Sequence, residues 1–182
     1  MHRSILIGSV LLLATACHEE EETPTELADV IYQGGANDEA LELLIATAAT
    51  PDATRAAVLT WPADGESIPA SPVKEFWWEE GSTARAPVER LLLGPLRAAF
   101  AHGAPVNGPA YFVVFSTSTN DKLVRVFTTE LSFTPDAATW QKMVDANEPV
   151  QCVITNAVFD NNLLAADGGP FVGAPTTFSI TP

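Results

Sequence analysis

From residue 57 onward, short runs of strand-forming residues alternate with turn sequences. This pattern favours a fold built from paired β-strands. In Lys74–Glu80 the alternation places Phe76 and Trp78 on one side of a strand and Trp77 on the other. Further strands are predicted at Ala57–Trp61, Tyr111–Ser116, Leu123–Thr129, Val150–Phe159 and Thr176–Thr181. About seven short strands separated by turns indicate a mainly β protein, an antiparallel sandwich.

Two of these strands are predicted to form a hairpin. Asn120-Asp121 is a turn sequence between Tyr111–Ser116, a nearly continuous apolar run, and Leu123–Thr129, which alternates like a half-buried strand. In Val150–Phe159 the alternation directs Val150, Cys152 and Ile154 inward.

Two helices are expected around these strands. The first is predicted over 38–49, with Asn37 as its N-cap and an apolar stripe of Leu41, Leu44, Ile45 and Ala48. The second is predicted over 135–147, with Thr134 as its N-cap, Pro135 at the first helical position and Trp140 on its apolar face. Before the first helix, the short apolar run Ala28–Tyr32 fits an early edge strand. We divide the region after the N-terminus into an N-terminal helical segment, 28–56, and a sandwich, 57–182.

A long excursion interrupts the predicted sandwich at 81–109. Its apolar runs are broken by Gly94-Pro95, so we interpret it as a partly helical insertion between two strands. Long connections of this kind often carry function.

The pieces of the sandwich resemble a fibronectin type III or immunoglobulin-like module. They are a proline-containing turn, an aromatic strand, an apolar strand that begins with tyrosine, a hairpin strand, a further strand and a last strand with phenylalanine; in this chain these are Pro62–Gly65, Phe76–Trp78, Tyr111–Phe115, Leu123–Thr129, Val150–Ile154 and Phe178. The resemblance covers about 57–182, and it implies an antiparallel sandwich. The insertion at 81–109 and the helix at 135–147 depart from the simple module.

The N-terminus has the pattern of a secretory signal. His2 and Arg3 precede an apolar run, Ile5–Leu13, which is too short to span a bilayer and suits a signal-peptide core. Small residues then lead to a cysteine in Leu13-Ala14-Thr15-Ala16-Cys17. This resembles the lipobox of bacterial lipoproteins, although leucine is commoner than Ala14 at its position.

The lipobox resemblance implies a signal peptide over 1–16 and acyl chains, including palmitate, on Cys17. Several chains anchor a protein far more firmly than one. By the sorting rule of Gram-negative lipoproteins, His18 after the cysteine implies the outer membrane rather than the inner membrane. The chain as a whole also resembles acidic lipoproteins of soil and predatory bacteria, for which the family implies no particular activity.

The residues after the cysteine form an acidic tether, 17–27. The run HEEEETPTE repels itself and stays solvated, as in a spacer between lipid and domain. It also weakly resembles acidic surface-export tags. The leaflet is therefore left open.

The charge of the chain excludes one class of partner. Across 182 residues the formal net charge is −14, whereas nucleic-acid binding needs clustered Lys and Arg. We expect no nucleic-acid partner. With Cys17 acylated, Cys152 is the other of two cysteines, and we predict that it packs as a small core residue.

Aromatic side chains are the best candidates for a binding surface. Trp78 and Trp140 have the spacing of core residues, whereas Trp77 is on the other side of its strand and Trp61 ends a strand. Together with Phe100 of the insertion, Trp77 and Trp61 form the predicted binding surface, which would take a glycan or an apolar protein surface.

Groups for catalysis or metal binding are few. His102 is the one histidine beyond the signal and the tether, and no zinc-ligand spacing occurs. Glu79-Glu80 is the tightest carboxylate pair, but neighbours on a strand face opposite sides. Oxygen-bearing side chains at 160–169 leave calcium open, although turns use the same residues. We expect no cofactor and no catalytic residue.

Three functions are compatible with these sequence features. The first is a non-catalytic outer-membrane lipoprotein that binds an envelope protein or a glycan. The second is a structural subunit of an envelope complex, docked through the helix at 38–49. The third is a hydrolase that uses the insertion at 81–109, with His102 in a cleft.

Overall fold

The computed structural model describes residues 27–81 and 104–181. Several of the sequence predictions lie outside these residues: the signal peptide, the lipidation site Cys17, most of the acidic tether, and the insertion from 82 to 103 with Phe100 and His102.

The described chain is mainly β, with twelve strands and two helices. The strands are Val30–Gln33 (β1), Thr50–Pro51 (β2), Val58–Trp61 (β3), Ser67–Pro69 (β4), Phe76–Glu79 (β5), Gly108–Ser116 (β6), Val124–Thr128 (β7), Ser132–Phe133 (β8), Val150–Asp160 (β9), Leu163–Leu164 (β10), Phe171–Val172 (β11) and Thr176–Thr181 (β12). The helices are Asp38–Ala46 (α1) and Ala137–Asp145 (α2).

A nine-stranded mixed sheet is the larger of two layers. Its main path runs β1-β7-β6-β9-β11-β2, with β10 and β12 also paired to β9 and β4 paired to β12. The predicted hairpin of β6 and β7 is confirmed, with Tyr111 opposite Thr128. The predicted alternation in β9 is also confirmed, because Val150, Cys152 and Ile154 are buried.

The smaller layer is an antiparallel sheet of three strands in the order β3-β5-β8. Its inward residues Phe76 and Trp78 join a core with side chains of the larger sheet. The ring centroids of Phe76 and Phe115 are 4.8 Å apart, and Phe178 lies 5.5 Å from Phe76. The two layers therefore pack face to face through an aromatic core, as in a β-sandwich.

A second core lies under α1. Asn37 caps this helix as predicted, because its side-chain oxygen accepts a hydrogen bond from the Ala40 N–H at 3.0 Å. Leu41 and Leu44 are buried in a cluster that also contains Phe127. Helix α1 thus covers part of the larger sheet, and strand β7, expected to be half-buried, is buried along its whole length.

The predicted helix bounds need correction at both helices. Helix α1 ends at Ala46 and not at 49, because Thr47 is extended and both its N–H and its hydroxyl bond to the carbonyl of Leu43. The N-cap of α2 is Asp136 and not Thr134, since the Asp136 carboxylate accepts the Thr139 N–H at 2.7 Å. Neither helix of the described ranges is long and apolar enough to cross a membrane.

Strand direction differs from the purely antiparallel arrangement that the sequence suggested. Three pairs are parallel: β1 with β7, β2 with β11 and β4 with β12. Each pair is joined through a long stretch of intervening chain, as parallel pairing requires. Local alternation indicates which face of a strand is buried, but it carries no information about the direction of a distant partner.

The segment 28–56, expected as a helical region before the sandwich, contributes two strands to the larger sheet. The edge strand expected at Ala28–Tyr32 is present as β1, whereas β2 was not predicted. Strand β1 lies at one end of the main path and β2 at the other. Residues beyond β2 are held by Asn156 of β9, whose side chain accepts the Ala57 N–H and donates to the Arg55 carbonyl. This segment is therefore an integral part of the described fold.

Candidate functional site

The outer face of the three-stranded sheet carries an exposed tryptophan at its centre. Strand β5 alternates between buried and exposed residues, so Trp77 points away from the core while Phe76 and Trp78 point into it. The side chain of Trp77 is 53% exposed, and its flanking outward neighbours along the chain are Glu75 and Glu79, both exposed. A large apolar ring thus remains in solvent between two carboxylates.

A β-bulge brings a second tryptophan beside the first. The register of β3 against β5 shifts between Leu59 and Trp61, so that Trp61 becomes the partner of Trp77. Without the bulge, Thr60 would occupy that position, because Leu59 pairs with Trp78. The Thr60 hydroxyl instead donates to the Trp77 carbonyl at 3.1 Å.

The two tryptophans differ in how firmly they are held. Trp61 is half-buried against the core, with its ring centroid 6.5 Å from that of Phe76. Trp77 is about half exposed to solvent. Trp61 is therefore held in place by the core, whereas Trp77 has surface available for contact with a ligand.

These side chains enclose a shallow groove of about 260 Å³ lined by Trp61, Lys74, Glu75 and Trp77. Indole faces can stack against the apolar face of a sugar ring or pack against apolar or cationic side chains. Lys74 and Glu75 supply a hydrogen-bond donor and acceptors at the rim. The chemistry of the groove is therefore that of non-covalent binding.

A further exposed apolar side chain lies on the outer face of the three-stranded sheet. Val58 of β3 is 53% exposed and pairs with Glu79, two positions along β5 from Trp77. On the other side of β5, Trp77 pairs with Ser132, and the exposed Leu131 lies opposite Trp78, which faces the core. The outer face thus carries an aliphatic side chain as well as the two indoles, and apolar surface of this kind is typical of an interaction surface.

The sequence prediction of a binding surface named three residues. Two of them, Trp77 and Trp61, lie together in this groove, and the third, Phe100, lies outside the described residues. Trp78 and Trp140 are buried, as their spacing predicted, and the Trp140 ring N–H donates to the Ala70 carbonyl at 2.6 Å.

Residues considered for catalysis occupy structural positions where the structure describes them. Cys152 is buried, and burial raises the pKa of its thiol. Glu80 accepts a hydrogen bond from the Tyr111 hydroxyl at 2.9 Å, whereas Glu79 is exposed on the outer face. The two carboxylates therefore lie on different sides of the strand and do not form a pair. Burial, followed by the bond to Glu80, raises the pKa of Tyr111.

The loop considered for calcium is held by hydrogen bonds to other parts of the chain. Asn161 and Asn162 have positive φ and form the turn between β9 and β10. The Asn162 side-chain oxygen accepts from Asn37 and from the Val106 N–H, and its amide donates to Glu39. Within 27–81 and 104–181 no group of three or more His, Cys, Asp or Glu is arranged to hold a metal ion.

A second groove, lined by both polar and apolar residues, was not predicted from the sequence. It has a volume of about 570 Å³ and lies between α2 and the β6–β7 loop; its lining residues include Thr117, Thr119, Asn120, Gln141, Lys142 and Asp145. The hydroxyl-rich run Ser116–Thr119 is the signal that could have indicated it. Much of the polar capacity around it is already used, since Ser118 and Thr119 bond to Glu148 and Gln141 bonds to Asp145.

Comparison with protein-family models, with curated proteins and with solved structures found no match to this chain. The site must therefore be interpreted from its own geometry.

Proposed function

We propose that this chain is a non-catalytic lipoprotein of the bacterial outer membrane, whose sandwich, of the immunoglobulin or fibronectin type III kind, binds an envelope protein or a glycan. In this proposal the acyl chains on Cys17 anchor the protein, and the acidic run that follows is a tether. The groove between Trp61 and Trp77 is the binding site.

One observation carries the proposal. Trp77 is 53% exposed at the centre of a sheet face, although the same strand buries Trp78 almost completely. Full burial of a large apolar side chain contributes about 1.5–3 kcal/mol, and the half-exposed Trp77 gains the remaining part of this only when a ligand covers its ring. Tryptophan is among the residues most enriched at positions that dominate binding energy.

The alternative of a subunit docked through the helix at 38–49 has less support. Leu41 and Leu44, the centre of the predicted stripe, are already buried within the described fold. Of the large residues in the stripe, Ile45 is exposed. The hydrolase alternative rests on 81–109, which lies mostly outside the described residues.

Site-specific photocrosslinking in intact cells tests the proposal. A photoreactive amino acid replaces Val58, which is exposed on the outer face beside Trp77 but is not part of the groove, and a matched variant carries it at Leu163 on β10. We expect discrete adducts, either protein or glycan, from position 58 and none of the same mass from position 163.

Two further substitutions link these adducts to the groove and to the anchor. Trp77→Ala should abolish the adducts from position 58 by removing the ring that holds the ligand, and Cys17→Ala should reduce them by releasing the protein from the membrane. Adducts that persist unchanged in Trp77→Ala would contradict the proposed site.

A further inference from the structure

We infer that the outer face of the three-stranded sheet binds a cationic, extended segment of a partner protein, with basic and apolar side chains at alternate positions. This inference rests on the proposed binding function of the tryptophan groove and specifies its ligand. It is carried by the order of side chains from Glu75 to Glu79 and by the apolar residues Trp61 and Val58 of the neighbouring strand β3.

The outward side chains of β5 and of the residue before it place an indole between two carboxylates. Glu75, which immediately precedes β5, is followed at every second residue by Trp77 and Glu79, so neighbouring positions are roughly 7 Å apart along the strand direction. An extended peptide spaces its own alternate side chains by the same distance. A segment with basic, apolar and basic residues at alternate positions therefore matches this row.

Both kinds of outward group on β5 attract cations. A carboxylate attracts an ammonium or guanidinium group, and the face of an indole does the same through its quadrupole. Lys74 also lines the groove and offsets one of the carboxylates, so Glu79, whose strand partner is the apolar Val58, is the less compensated of the two. We therefore expect the strongest charge contact at the Glu79 end.

The apolar residues of β3 favour a protein over a sugar. Trp61 is the strand partner of Trp77, and Val58, which is 53% exposed, is the partner of Glu79; on the other side of Trp77 the partner is Ser132. An aliphatic side chain such as Val58 offers a sugar no hydrogen bond, whereas it suits the apolar part of a protein interface with charges at its rim. The hydroxyl of Thr60, the polar group nearest in sequence to Trp61, is already bonded to the Trp77 carbonyl.

A second copy of this chain is a poor occupant of the same face. The formal net charge of the chain is −14, and a symmetric contact through β5 would bring its glutamates against their own copies. Repulsion between these like charges disfavours a symmetric dimer through this face, whereas a basic partner is attracted by the same negative charges.

A randomised peptide library displayed on phage, selected against the full chain in detergent, tests the inference. We expect the enriched peptides to carry net positive charge and to alternate Lys or Arg with Leu, Phe or Trp. The affinity of the best peptide is then measured for the wild type and for variants, each first checked for an unchanged unfolding midpoint.

Three variants separate the contributions. Trp77→Ala should weaken binding at least tenfold, because it removes the central apolar contact. The double variant Glu75→Gln/Glu79→Gln should weaken it about threefold to tenfold and flatten its dependence on salt. Asp121→Asn, an exposed acid in the β6–β7 loop, changes charge away from the face and should leave the affinity unchanged.

The outcomes distinguish this inference from the proposed function. Enriched peptides without net positive charge, or peptide binding that Asp121→Asn weakens as much as the glutamate variants do, would overturn the inference. A glycan array probed in parallel tests whether the groove binds a sugar instead. A glycan that binds only when Trp77 is present would overturn the inference but support the proposed site. Ligands that bind equally well to Trp77→Ala would contradict both.

Discussion

The side-chain oxygen of Asn156, within the longest strand, accepts a hydrogen bond from the Ala57 N–H at 2.7 Å, and the same amide donates to the Arg55 carbonyl at 3.1 Å. Asn156 is buried, and so is Ala57. One side chain thus satisfies two backbone groups of the segment that leads from β2 into β3.

Asn156→Ala should therefore be strongly destabilising. It leaves a buried N–H without its acceptor and removes the donor to Arg55, which predicts a loss of about 2–4 kcal/mol in the free energy of unfolding. Urea denaturation measures it. Asn120→Ala is the matched control, because the Asn120 side chain accepts a bond from Lys122 in an exposed loop and its loss should cost about 1 kcal/mol or less.

Truncation of the two adjacent tryptophans should affect the free energy of unfolding to very different extents. Trp78 is buried in the aromatic core, so Trp78→Ala should reduce the free energy of unfolding by about 3–5 kcal/mol. Trp77 is exposed, so Trp77→Ala should change it by about 1 kcal/mol or less while affecting binding. A large loss of stability in Trp77→Ala would mean that its ring serves the fold rather than a ligand.

Asp52 should contribute to stability in a pH-dependent way. Hydrogen bonds from the Thr54 hydroxyl and from Arg55 hold the pKa of its carboxyl well below the usual range. A lowered folded-state pKa stabilises the fold above the unfolded-state value, about 4, and the contribution is lost as pH falls through the folded-state value.

The measurement compares the wild type with Asp52→Asn from pH 7 to pH 2. The wild type should be the more stable protein at pH 7, and the difference should shrink steadily below about pH 4. A difference that stays constant across this range would show that Asp52 acts through its shape and not through its charge.

Cys152 should be unreactive in the folded protein. Its thiol is buried and its pKa is raised by that burial, so the thiolate is scarce and enclosed. In the variant Cys17→Ala, in which Cys152 is the remaining cysteine, an aromatic disulfide reagent at pH 8 should react at least about 1000-fold more slowly than in denaturant. Rapid reaction under native conditions would indicate that this part of the sheet opens readily.

Cys17 should determine how the protein partitions between membrane and solution. Cells fed labelled palmitate should incorporate it into the wild type and not into Cys17→Ala, and the variant should leave the membrane fraction because several acyl chains anchor far more firmly than none. Cys152→Ala is the control for cysteine loss in general. If Cys17→Ala stays membrane-bound, another attachment is the better explanation; if the wild type incorporates no palmitate and is released from the membrane, an ordinary cleaved signal sequence is.

Local patterns predicted those features that depend on neighbours in the chain. Alternation in β5 placed Trp77 outside and Trp78 inside, and the Asn37 cap located the start of α1, because both depend on residues only a few positions apart. The cap of α2 was misplaced by two residues, since Thr134 and Asp136 both suit an N-cap and only the hydrogen bond to Thr139 decides between them.

Long-range pairing could not be predicted in the same way. The three parallel pairs join segments far apart in sequence, and nothing in the alternation of β1 identifies β7 as its partner. The groove could be predicted only in part. The outward position of Trp77 follows from local alternation, but its proximity to Trp61 depends on a bulge at Thr60. The sequence around Thr60 carries no evident signal for that bulge.

Strands β1 and β2, which belong to one short segment, lie at opposite ends of the main path of the larger sheet, with Val30 opposite Arg125 and Thr50 opposite Phe171. During synthesis these residues emerge well before their partners. The larger sheet also contains β12, so it cannot be completed until the ribosome has released that strand, and pairing across such distances in sequence is slow. We expect the nascent chain to remain incompletely folded for most of its synthesis.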